Sequence, residues 1–268
     1  MITFSSEYEY PSLLDAHVHL THSPKTIFPK EFFYFTNAAT PDEWSTILSI
    51  DSSYILPFLG IHPECGSGPI DDIGWENNLQ ELRKTALNRS IGIGECGIDQ
   101  RYYTFFSKLE QLELLISQIK IAQDTMSPLC LHQSHAMESV IAMVKEQQIT
   151  IPWIMHGFFG SIQTAKHILD LHGYISISPN LLRSKQKVQD LLSYIPPDHI
   201  LLETDYPYTY IPTMWQGYSY GQLLFSWYQT IADTQSIDIE RLIDIVHTNG
   251  KIFTNKPFDR KRETTEAV

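Results

Sequence analysis

Cysteine is scarce: Cys65, Cys96 and Cys130 are the only three in 268 residues, and no two form a C-x-x-C pair. That number and spacing exclude a disulfide framework and a thiolate zinc site, and point to a reducing, cytoplasmic setting. Basic residues are outnumbered, with 19 Lys and Arg against 31 Asp and Glu, for a formal net charge of −12. A broad electrostatic grip on nucleic acid or an anionic membrane needs a Lys/Arg surface that this chain lacks. The opening MITFSSEYEYPS has neither a basic flank nor an apolar core, and no apolar run approaches bilayer-spanning length. Neither a targeting segment nor a membrane partner is therefore expected. Low-complexity stretches and linkers are missing too, so a single domain is expected over residues 1–254, followed by a polar tail over 255–268.

What is present is a rhythm. Short apolar or β-branched runs recur at residues 13–20, 32–38, 54–63, 90–99, 128–134, 152–158, 174–179 and 200–207, separated by helical patterns. Eight strands alternating with helices predict an α/β protein, a TIM-type (β/α)8 barrel, with an open doubly wound sheet as the alternative. The spacing over 105–126 predicts a helix whose buried stripe is Leu109, Leu112, Ile116, Ile119 and Ala122. Met137, Val140, Ile141 and Val144 repeat the pattern, and Thr40-Pro41-Asp42-Glu43 reads as a capping box. Between Leu20 and Phe32 two prolines and little length leave the first barrel helix shortened or replaced by a loop.

The run LLDAHVHL places Asp15, His17 and His19 at alternating positions, which on a strand share one face. Glu95, His132, His156 and Asp205 stand late in the fourth, fifth, sixth and eighth runs. In a barrel these ends form one rim, where active sites sit. Each position alone has an ordinary explanation, as a hydrogen-bonded core histidine or a helix cap. Together, four imidazoles and two carboxylates buried without a cation would repel or go unpaired. Mixed N/O donors suit Zn²⁺, Mn²⁺, Mg²⁺ or Fe²⁺ and do not choose among them.

The ordered landmarks DAHVHL, GIHPE, GIGECGID, QLELLISQIKIAQDTMSPLCLH, HGFFGS, ILLETDYPY and HTNGKIF resemble those of the TatD family of metal-dependent hydrolases, within the amidohydrolase superfamily. The resemblance spans essentially the whole expected domain. It implies a two-metal barrel, and an activity of the kind several members have, Mg²⁺-dependent deoxyribonuclease, in some 3′-to-5′ exonuclease. Carried over by position, His17, His19 and Asp205 would hold one ion, Glu95 would bridge, and His132 and His156 would complete the second site. His62 matches a pocket histidine of the family that contacts substrate phosphate. Asp205 would take a proton from the attacking water. Glu203 would help it, or else hydrogen-bond a ligand from behind.

Departures bear on the substrate. An arginine common in the family after the fifth-strand histidine is replaced by Gln133, Ser134 and His135, and no Asn-Pro element follows in WQGYSYGQLL. Tyr206, Tyr208, Tyr210, Trp215, Tyr218 and Tyr220 crowd the last loop, either to stack bases, Tyr208 foremost, or to pack the loop down. Arg101, with Arg183 and Lys185, could meet a phosphate at the rim or serve as solvated charge. Rival readings are a small-molecule amide, ester or phosphoester hydrolase and a non-catalytic binding barrel. No protein partner is evident, and a monomer is expected.

Overall fold

A computed structural model of the chain describes residues 2–6, 10–67 and 72–255. Eight parallel strands follow one another in chain order: β1 (Leu14–Val18), β2 (Phe33–Asn37), β3 (Ile55–Leu59), β4 (Gly92–Asp99), β5 (Leu129–Ser134), β6 (Trp153–Met155), β7 (Tyr174–Ile177) and β8 (Ile200–Leu202). Each pairs in parallel with its predecessor. Between β8 and β1 the contact is a short bridge from the end of β1 to the residues just past β8, where His19 N–H donates to Tyr206 O and Asp205 N–H to His17 O, both at 2.9 Å. This nearly closed cylinder is a TIM barrel, and the open-sheet alternative falls away. The strands are buried along almost their whole length, as parallel strands lined on both faces require.

Helices α1 (Trp44–Leu48), α2 (Asp72–Asn88), α3 (Lys108–Thr125), α4 (Met137–Glu146), α5 (Ile162–Asp170) and α6 (Lys185–Tyr194) join successive strands from β2 onward, and α7 (Tyr220–Gln235) and α8 (Ile239–Thr254) follow β8. After β1 there is no α-helix: a 3₁₀ turn, Leu20–His22, leads to a short strand, Ile27–Pro29, paired with Thr3–Ser5. Of the expected polar tail, residues 256–268 lie outside the described residues. Among the described residues no helix is long and apolar enough to cross a membrane.

One sequence expectation fails in detail. The buried face of α3 is Gln111, Leu114, Leu115, Gln118, Ile119, Ile121 and Ala122, while Leu109 is exposed and Leu112 and Ile116 are only half-buried. Two glutamines turn the helix away from its apolar stripe. Gln111 accepts from Asp99 N–H at 2.8 Å and donates to Asp99 O at 3.1 Å. Gln118 brackets Ile61 in the same way, at 2.8 and 3.1 Å. Each side-chain amide stands in for a missing strand neighbour, satisfying backbone groups whose burial unpaired would cost free energy.

Candidate metal centre

Late strand positions carry the polar groups inward. His17 lies within β1 and His19 just beyond it, Glu95 and Asp99 share one face of β4, His132 lies in β5, and His156 follows β6 directly. Gly97 allows β5 to come close, because a Cβ there would collide with the His132 carbonyl oxygen. Asp205 lies past β8 with φ 58°, a left-handed conformation that non-glycine residues hold only when their surroundings impose it.

Glu95 divides its two oxygens. Oε2 stands 3.5 Å from His17 Nε2 and 3.4 Å from His19 Nε2. The two nitrogens are 3.2 Å apart, and Asp205 Oδ1 is 3.7 and 3.6 Å from them. A tetrahedral ion at zinc-like N/O bond lengths spaces its donors about 3.4 Å apart. These separations therefore fit a cage around one cation, and the burial of His17, His19 and Glu95 with no lysine or arginine among the donors favours it. On the other side Oε1 is 2.7 Å from both His132 Nδ1 and His156 Nε2, which are 3.1 Å from each other. These three form a second group able to hold an ion.

The remaining ring nitrogens define how the imidazoles are held. His132 Nε2 faces Asp99 Oδ2 at 3.2 Å, and Asp99 is gripped by the Arg101 guanidinium, whose Nε lies 2.9 Å from Oδ2. His17 Nδ1 lies 3.4 Å from Cys130 Sγ. His62 Nδ1 accepts from Glu64 N–H at 3.1 Å, which leaves Nε2 as the protonated nitrogen, facing Glu95 Oε1 at 3.8 Å. Burial, reinforced by His132, pushes His62 well below its ordinary value, so this ring stays neutral, and with Asp99 and His132 it forms a further group able to hold an ion. Burial disfavours the Glu95 charge, yet His156, His62, His17 and His132 hold its carboxyl well below the usual range. Burial likewise opposes protonation of His19, but Asp205 and Glu95 lift it to about 10.

Several other residues singled out in the sequence lie outside the cages. Asp15 turns to the seam, accepting from Thr204 N–H at 2.9 Å and His17 N–H at 3.1 Å as well as from the Thr204 and Tyr220 hydroxyls. Burial pushes its carboxyl up to about 7 against these donors. Glu203 sits behind His156, with Oε1 3.6 Å from Nδ1 and accepting from Gly157 N–H at 2.6 Å. Arg101 is committed to Asp99 and Arg183 lies 4.6 Å over the Tyr210 ring. Of the last loop's aromatics, Trp215 and Tyr220 are buried, Tyr206 and Tyr210 half-buried, and Tyr208 and Tyr218 exposed. Asp99 was missed in the sequence, although its even spacing from Glu95 along one strand was signal enough.

Fold and donor geometry together define a (β/α)8 barrel with a carboxylate-bridged pair of candidate metal cages. A family model described as TatD related DNase matches residues 14–255, and the chain belongs to that family. It is 32% identical over 152 residues to the uncharacterized metal-dependent hydrolase YcfH of Escherichia coli, a match spanning 56% of this chain and 54% of YcfH, about half its length. It is 29% identical over 224 residues to the deoxyribonuclease TATDN3 of Homo sapiens, covering 79% of this chain and 80% of that one. The crystal structure of YJJV, a TatD homologue from Escherichia coli, shares the fold with a TM-score of 0.77 at 19% identity, over 91% of this chain and 98% of that one.

Proposed function

We propose that this protein is a metal-dependent hydrolase that cleaves phosphodiester bonds of DNA, with a 3′-to-5′ exonuclease as the specific form. The observation that carries the reading is Glu95, whose two oxygens each face a separate set of imidazoles. His17, His19, Glu95 and Asp205 would hold one divalent ion, and Glu95, His132 and His156 the second, as Mg²⁺, Mn²⁺ or Zn²⁺. Such ions supply Lewis acidity, polarising a phosphoryl oxygen and acidifying the attacking water.

Asp205 reaches the first cage while its side chain stays 18% exposed, so it is the group placed to take the water's proton. His62 donates its Nε2–H to a phosphoryl oxygen as negative charge grows there. Glu203 orients His156 from behind and is a less direct contributor. The protein acts as a single barrel domain over 1–254, as a monomer in the cytoplasm.

A small-molecule ester or phosphoester hydrolase is the second reading. It is favoured by the −12 charge and by the commitment of Arg101 to Asp99, which takes one cation away from any substrate phosphate. A screen of the protein reconstituted with Mg²⁺, Mn²⁺ or Zn²⁺ against end-labelled DNA, RNA and small esters separates the two. Shortening of DNA from its 3′ end, reduced about 10²–10⁴-fold in Asp205→Asn, is expected. Turnover of esters with DNA untouched replaces the first reading by the second.

A further inference from the structure

Three rim loops meet beside the first cage in a way that metal binding does not require. Glu43, from the connection after β2, places Oε2 2.9 Å from His22 Nε2. His22, from the short 3₁₀ turn after β1, places Nδ1 2.6 Å from the Tyr208 hydroxyl, in the loop after β8. Glu43 is itself fixed: Oε1 accepts from Ala39 N–H at 3.1 Å and Thr40 N–H at 2.9 Å, and Oε2 from the Thr21 hydroxyl at 2.6 Å. The His22 ring lies parallel to His19, 8° between planes and 5.2 Å between centroids. Tyr208 stands edge-on to both, 5.3 Å from His19 and 5.6 Å from His22.

The outcome is an aromatic side chain that is 60% exposed yet held upright by a carboxylate–imidazole–phenol chain. Exposed tyrosines normally rotate freely, and ordering one costs conformational entropy that a ligand would otherwise have to meet. Here the order is present beforehand, one ring away from a metal-cage histidine.

We propose that Tyr208 is a fixed stacking wall for a nucleobase next to the scissile phosphate, and that His22 and Glu43 are the positioning residues that hold it. This rests on the phosphodiesterase reading and names the feature that would let the site prefer nucleotides over simple esters. The missing first barrel helix acquires a purpose, because a full helix after β1 would not leave His22 in a turn beside Tyr208. Stacking binds any base and needs no cationic surface, which suits a strongly acidic protein.

The test compares kcat/KM for thymidine 5′-(p-nitrophenyl phosphate) with that for methyl p-nitrophenyl phosphate, which has no base. The ratio of the two should fall about 5- to 150-fold in Tyr208→Ala. It should fall less in His22→Ala and Tyr208→Phe, mainly through KM. Combining His22→Ala with Tyr208→Phe should add nothing, because both break one link. An unchanged ratio in Tyr208→Ala, or additive losses in the double variant, overturns the proposal. If the wild type hydrolyses neither diester, the phosphodiesterase reading fails separately. An oligonucleotide carrying 2-aminopurine at its 3′ end then tests the wall: quenching by wild type and recovery in Tyr208→Ala support it, and equal quenching by both overturns it.

Discussion

Asp15 and Thr204, 189 residues apart in the chain, are joined twice across the barrel seam, through the Thr204 amide and its hydroxyl. Strand β8 is only three residues long, and these carboxylate bonds reinforce the two backbone bonds that join the seam just beyond it. They tie His17, two residues past Asp15, to Asp205, one residue past Thr204.

Replacing Asp15 with Asn should therefore loosen the seam. The amide nitrogen would confront donors that the carboxylate accepts, and one buried donor left unmatched costs about 1–3 kcal/mol. Calorimetry should record a melting temperature lower by about 2–10 °C for a chain of this size. A melting curve superimposable on wild type would rule out this role.

Asp99→Asn should act on one cage alone. His132 would lose the carboxylate that orients its ring, and loss of such a partner typically weakens metal binding about 10–100-fold. Competition with a chromophoric chelator should show one of two sites weakened. Equal weakening of both would mean that Asp99 supports the barrel in general.

Metal binding should release protons. In the cation-free protein, burial works against protonated His19, but Asp205 and Glu95 hold its value up at about 10, so at neutral pH it carries a proton that a ligand nitrogen cannot keep. Affinity should rise as pH climbs towards 10 and decline as pH falls. Titration calorimetry in two buffers of different ionisation enthalpy should give about one or more protons released per ion. Identical heats in both buffers would contradict it.

Glu43 predicts an acid-side effect. Burial works against its charge, yet bonds from His22 and Thr21 hold its carboxyl down to about 2, below the ordinary 4.5. A depressed carboxyl stabilises the fold fully above the ordinary value and loses that contribution as pH falls through the lower one. Glu43→Gln should thus melt earlier than wild type at pH 7, and the gap should narrow from about pH 4.5 downward. A gap independent of pH would exclude the charge as its cause.

The barrel was legible because its signal recurs: eight short apolar runs in succession, with helical patterns between most of them. The ligand-type residues were legible because each stands at the same place in its run, as His132 and His156 do. What escaped depends on contacts between segments remote in sequence. Nothing local in Gln111 or Gln118 announces that it faces the barrel, and apolar periodicity put Leu109 there instead. Arg101 reads as a free cation until Asp99 is seen folded against it. His22 and Tyr208 are separated by 186 residues, and no pattern in either loop announces their hydrogen bond.

The two glutamines on α3 stand two helical turns apart and grip the chain at Ile61 and Asp99, the first next to His62 and the second bonded to His132. An outer helix is thereby a ruler laid against the rim that carries the candidate cages. Sliding it by one turn would drag both histidines off their marks at once. The placing of donors at the barrel mouth thus depends on a helix that contributes none of them.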